Sequence, residues 1–197
     1  MKTFDCIFYW VSKLIKTLNE GGVSDDKIFN TFLDNGNGYL WGFLIAVIFA
    51  FAACAAYYLV IGRLSFKFSK KYVWCIFLVV FGLATFFTNA SITKSGLDKV
   101  QKEIFKKKSD QWGEIKQNSG EEAFLEQKAD DENWNNVWKK TIKRGIKYTP
   151  IRLFSIMSMI YQMLFFFGLS FLFKGFSIHA KAIPFGGKPK DRKTNSR

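Results

Sequence analysis

Catalysis near neutral pH draws on a histidine, an activated nucleophile, paired carboxylates or a set of metal ligands. This sequence is poor in all four. Its one histidine, His179, sits in a basic stretch with no cysteine or acid beside it. Cys6, Cys54 and Cys75 form no CxxC pair, and the last two fall inside long apolar runs, where a thiol acts as a small apolar group. Asp130, Asp131 and Glu132 are consecutive, so a helix spreads them around its circumference instead of aiming them at one ion. No phosphate-cradling or dinucleotide glycine pattern occurs. The expectation is no catalytic residue, no cofactor and no metal, in a chain that is not an enzyme.

The informative polar residues lie in apolar surroundings. Ser155, Ser158 and Gln162 fall at i, i+3 and i+7 and share one stripe of a helix. An amide in hydrocarbon seeks a partner, a contact worth ~0.6–2 kcal/mol, so Gln162 is expected to bind a neighbouring helix or a second subunit. The alternative is that this stripe lines a pore built from several copies. Small residues matter for a related reason: lipid is as apolar as leucine, and helices in it associate by close packing. Gly42, Ala46 and Ala50 recur every four residues, and Cys75 and Gly82 lie seven apart on a second helix. These two rows are expected to face each other.

Three apolar runs must carry those residues. Tyr39–Gly62 has 24 residues without a formal charge, Tyr72–Asn89 has 18, and Ile151–Phe173 has 23 with Arg152 alone charged. At a rise of about 1.5 Å per residue each can cross the roughly 30 Å of hydrocarbon, the second only just. Tyr39 and Trp41 at one end of the first run, and Tyr57 and Tyr58 at the other, suit headgroup level. Thr149-Pro150 reads as a helix start, a cap followed by proline at the first helical position. The expected fold is an all-α membrane protein: three transmembrane helices, an amphipathic N-terminal helix, and an extramembrane helical hairpin between the second and third spans.

Around the spans, residues 1–38 form the N-terminal segment. Phe4, Phe8, Val11 and Ile15 recur there at helical spacing, and Lys13 and Lys16 interrupt any signal-peptide core. That face is expected to lie on a bilayer or dock on a partner. Residues 63–71 are a short basic link. Residues 90–150 read as two helices, started by relaxed capping boxes at Ser95–Asp98 and Ser119–Glu122, with Trp112, Trp134 and Trp138 on apolar faces that pack together or against a partner. Residues 174–197 hold seven bases against one acid and read as a disordered cationic tail.

The chain carries 29 Lys and Arg against 16 Asp and Glu, and this charge points to anionic lipid before nucleic acid, because the tail lacks a platform of interleaved aromatics. Nucleic-acid binding is not expected. The dense bases of the link and tail place those segments in the cytosol, in a bacterial inner membrane or alternatively an organellar one. Every informative feature is a surface for association. The function read from the sequence is a non-catalytic multi-pass subunit that anchors or scaffolds a larger membrane complex, such as a secretion, conjugation or injection apparatus. The alternative is a small homo-oligomeric channel or pore-forming effector. Partners are accordingly membrane lipid and other membrane or secretion-complex proteins, or further copies of the chain.

Overall fold

The structure, a computed structural model, describes residues 25–34, 37–61 and 71–173. The amphipathic face of Phe4, Phe8, Val11 and Ile15, most of the basic link and the cationic tail lie outside the described residues. Those described are almost entirely helical, with no strand among them. Helix α1 is Asp25–Asp34, α2 is Gly38–Cys54 continued by a wider π-helical stretch Ala55–Ile61, α3 is Lys71–Lys143, and α4 is Thr149–Phe173 after a 3₁₀ turn at Gly145–Lys147. Three helices are long and apolar enough to cross a membrane: Gly38–Val60, Tyr72–Asn118 and Thr149–Phe173.

The longest helix differs from expectation. Ser95–Asp98 starts nothing, because α3 runs through it from Lys71. A capping box begins a helix only where the preceding residue leaves helical geometry, and nothing between Tyr72 and Ser95 forces that. Asp98 instead forms an i,i+4 ion pair with Lys102 at 2.7 Å. The boundary read at residues 89 and 90 is therefore a change of composition along one helix, not a break in the backbone. The second expected boundary does break. Gly120 takes φ 86° and ψ 175°, a conformation open almost only to glycine.

On either side of Gly120 the two arms of α3 pair antiparallel. Gln101 meets Asn135, Lys108 meets Asp131, and the Lys116 ammonium lies 5.5 Å from the Phe124 ring centre. Gly145 at φ 55° then turns the chain, and the Tyr148 carbonyl accepts the Arg152 N–H at 3.1 Å. Tyr148 is thus the residue before α4, and Pro150 falls one place later than expected, still within the turn whose N–H groups need no helical partner.

The chain divides into two compact units. One takes α1, the start of α2, Phe86–Ser158 and the arms of α3 between. In it Ile28, Phe29, Phe32 and Leu33 of α1 are buried, and Phe29 meets Phe154 edge to face at 6.3 Å. The Phe32 ring lies on Gly38 and Gly96, where an added Cβ would collide with it. The other unit takes Ala46–Thr85 and the chain from Met159. Its core joins Ala50, Ala53, Cys54, Val73, Trp74 and Phe166 with both Tyr57 and Tyr58. The two tyrosines, at the end of the first apolar run, are fully buried against protein, their rings T-shaped at 4.8 Å. They lie in the π-helical stretch, where more residues per turn let two neighbours share the inner face.

Candidate functional site

Helix α4 carries the polar residues that its sequence singled out. Ser155, Ser158 and Gln162 are all fully buried. Ser155 and Ser158 donate back to the carbonyls of Ile151 and Phe154 at 2.8 and 3.1 Å. In the first unit the Asn89 side-chain amide also donates to Ser158 Oγ. Gly42 of α2 lies against the same place: a Cβ there would stand 2.7 Å from Phe154 Cζ and 3.3 Å from Ser158 Oγ. Asn89, which ends the second apolar run in sequence, is therefore an interhelical tie. Its Oδ1, and Thr93 Oγ1 one turn on, have no hydrogen-bond partner among the described residues.

In the second unit Gly82 of α3 lies against α4. A Cβ there would sit 2.8 Å from Met163 Cε and 3.4 Å from Gln162 Oε1. Neither polar atom of the Gln162 amide has a hydrogen-bond partner among the described residues. Gly42 and Gly82 each lie against α4, while Ala50 of the first row sits in the core with Val73 and Trp74 of α3 and Phe166 of α4. Gly42, Ala46, Ala50 and Gly82 are buried, but Cys75, nearly in line with Gly82 and two turns earlier, is exposed beside the buried Val73 and Trp74.

Sequence reasoning missed Ser170. This hydroxyl accepts from Trp74 Nε1 at 3.2 Å and donates to the Phe166 carbonyl at 2.7 Å, while the Cys54 thiol donates to that carbonyl at 3.5 Å. A buried indole N–H requires an acceptor, and Ser170 supplies it in otherwise apolar surroundings. The signal was present. Ser170 lies eight residues beyond Gln162, two turns along the stripe already identified.

Outside the apolar runs, the two arms of α3 converge on Asp131. Its carboxylate pairs with Lys108 at 2.7 Å and accepts from Trp112 Nε1 at 3.0 Å and Gln127 Nε2 at 3.4 Å. Burial acts to raise its pKa, but the hydrogen bonds from Lys108, Trp112 and Gln127 and the Lys108 charge together hold it below the usual carboxylate value. Of the two arrangements expected for the three tryptophans, packing together or against a partner, the structure has the first, all three turned toward this seam. Trp112 holds Asp131, Trp134 takes the Lys108 ammonium over its ring at 4.7 Å, and Trp138 is buried against Tyr148. Leu125 and Val137 are the exposed apolar residues there. The reason is stoichiometric: once the arms pair, each aromatic stripe covers the other. Among the described residues no group of three or more His, Cys, Asp and Glu is placed to hold a metal ion. Comparison with known proteins gives no match, neither to a family model, nor to a curated protein, nor to a solved structure.

Proposed function

We propose that the chain is a non-catalytic, multi-pass integral membrane subunit that anchors or scaffolds a larger membrane complex. A secretion, conjugation or injection apparatus is the class of host it fits, and a bacterial inner membrane is its setting. The observation that carries the membrane part is an inside-out distribution of polarity along the three apolar helices. Ile48, Phe51, Val80, Phe87, Leu164 and Leu172 are exposed, while Thr85, Asn89, Ser155, Ser158, Gln162 and Ser170 are buried. Water would favour the reverse, whereas hydrocarbon solvates apolar side chains and drives polar ones inward. The paired arms of α3 beyond the apolar run are the extramembrane helical hairpin of this reading.

The scaffold part is our inference from the kind of features the chain carries. Buried polar ties and small-residue contacts hold helices together, and the chemistry they supply is cohesion. The burial of Ser155, Ser158 and Gln162 inside a single chain weighs against a lumen lined by them. Purification of the full chain from its own membrane in mild detergent tests the function. Co-isolation with different proteins in a fixed ratio is the expected result. A closed homo-oligomer that conducts ions in liposomes would overturn it.

A further inference from the structure

Where α3 leaves its apolar run, a cleft of about 390 Å³ opens between residues 91–98 and the returning residues 139–143. Ser91, Ser95 and three lysines, Lys94, Lys139 and Lys143, line it. The one acid in the lining, Asp98, is engaged by Lys102 on its own helix at 2.7 Å. No acid among the described residues lies within ion-pair distance of the three lysines. Three like charges facing one small space repel one another, and an anion between them removes that cost. The rest of the loop sharpens the contrast. Acids gather toward its tip, Glu121–Glu132, while exposed Arg144, Lys147 and Arg152 continue the basic character of its base.

Depth decides what anion this is. Lys94 lies five residues past Asn89, about 7 Å along the helix axis. Headgroups occupy about the first 5–8 Å beyond the hydrocarbon. The apolar route is present too: Phe87, one turn below Ser91 on the same stripe of α3, is exposed. The geometry points to a site for the phosphate of an anionic phospholipid, held by Lys94, Lys139 and Lys143 with Ser91 and Ser95 as neutral donors, its chains descending past Phe87. A zwitterionic lipid would bring its own cation into a cleft already crowded with them. The site belongs to the leaflet beside the loop, on whichever side of the membrane that is, and it rests on the membrane reading above.

The test uses the full chain, incorporated in nanodiscs of phosphatidylcholine with a minor share of phosphatidylglycerol, and measures which lipid stays bound after gentle detergent release, by native mass spectrometry. The chain is expected to retain phosphatidylglycerol over phosphatidylcholine. Each of Lys94→Gln, Lys139→Gln and Lys143→Gln weakens that retention about fivefold, as expected for one basic group at a charged surface. The triple variant abolishes the preference and its Lys→Arg counterpart keeps it. Lys116→Gln with Lys128→Gln, far from the cleft, changes nothing. Should the triple variant misfold, the singles carry the comparison. Equal retention of both lipids overturns the proposal, and so does displacement of phosphatidylglycerol by millimolar inorganic phosphate, which would mark a soluble-anion site. Carbonate extraction is scored separately. A chain washed off by carbonate sinks the membrane reading, and one retained without lipid preference sinks only this site.

Discussion

Asp131 is the one charged residue fully buried among those described, and its environment gives it a defined pH response. Because its pKa is held below the ordinary value, the ionised form is stabilised by folding. That contribution is complete at neutral pH, where the unfolded carboxylate is also ionised, and is lost as pH falls below about 4 and through the folded-state pKa. Asp131→Asn keeps the volume but leaves Lys108 without its counter-charge, and should destabilise the paired arms by about 1–3 kcal/mol. Thermal unfolding in detergent at pH 7 and near pH 3 checks both points: the variant should lose part of the acid sensitivity of the parent. Gln162 predicts the opposite sign. Its amide is fully buried with no hydrogen-bond partner among the described residues. Gln162→Leu relieves that desolvation and should raise stability by about 1 kcal/mol in detergent. A fall in stability instead would mean that the packing of the Gln162 side chain against Gly82 and its neighbours outweighs the desolvation of its amide.

At the scale of elements, two glycines of α3 separate backbone geometry from packing. Gly113 and Gly120 are both exposed, and a Cβ added to either would meet nothing within 4 Å. Gly113 is helical, so Gly113→Ala should stabilise the arm by about 0.5–1 kcal/mol. Gly120 holds φ 86°, and Gly120→Ala should cost about 1–3 kcal/mol and loosen the pairing of Lys108 with Asp131. Circular dichroism with thermal melts of the two variants reads the difference, and equal effects would deny the turn. These elements also show what could be read from the residues. Three long apolar runs and the break near Gly120 were legible because composition and a glycine between two periodic segments act locally. The continuity of α3 through Ser95 was not, since a serine followed by an acid three places on looks the same inside a helix as before one. The burial of both Tyr57 and Tyr58 was not legible, since they share a core with Trp74 and Phe166 in a π-helical stretch that no local signal marks. The exposure of Cys75 was not legible either: it is nearly in line with Gly82, and only tertiary packing decides that α4 side chains cover that line at Gly82.

For the whole molecule, the membrane reading makes a commitment about sides. In that reading the stretch Tyr72–Asn89 crosses once, so a label at position 67 and one at position 125 must be reachable from opposite faces of the bilayer, whichever way the chain enters. The bases do not distribute evenly enough to fix that direction by count: the link and tail carry 11 in short segments, and the loop carries 13, crowded at its two ends. Density in short segments favours the link in the cytosol. Lys67→Cys and Leu125→Cys, introduced singly with Cys6→Ser in the background, report on this by reaction with a membrane-impermeant maleimide on intact cells and on inverted vesicles. Of the native thiols in the apolar runs, Cys54 is buried and Cys75 faces the surface that lipid would cover, so both should stay unlabelled. Leu125 is exposed near the tip of the paired arms and should react readily. The expected outcome is labelling of position 125 on intact cells and of position 67 on inverted vesicles only. The exchanged pattern reverses the orientation and leaves the three spans standing. Labelling of both positions from the same face removes the crossing between them, and with it the physical basis on which exposed phenylalanines and buried asparagines belong to one stable protein.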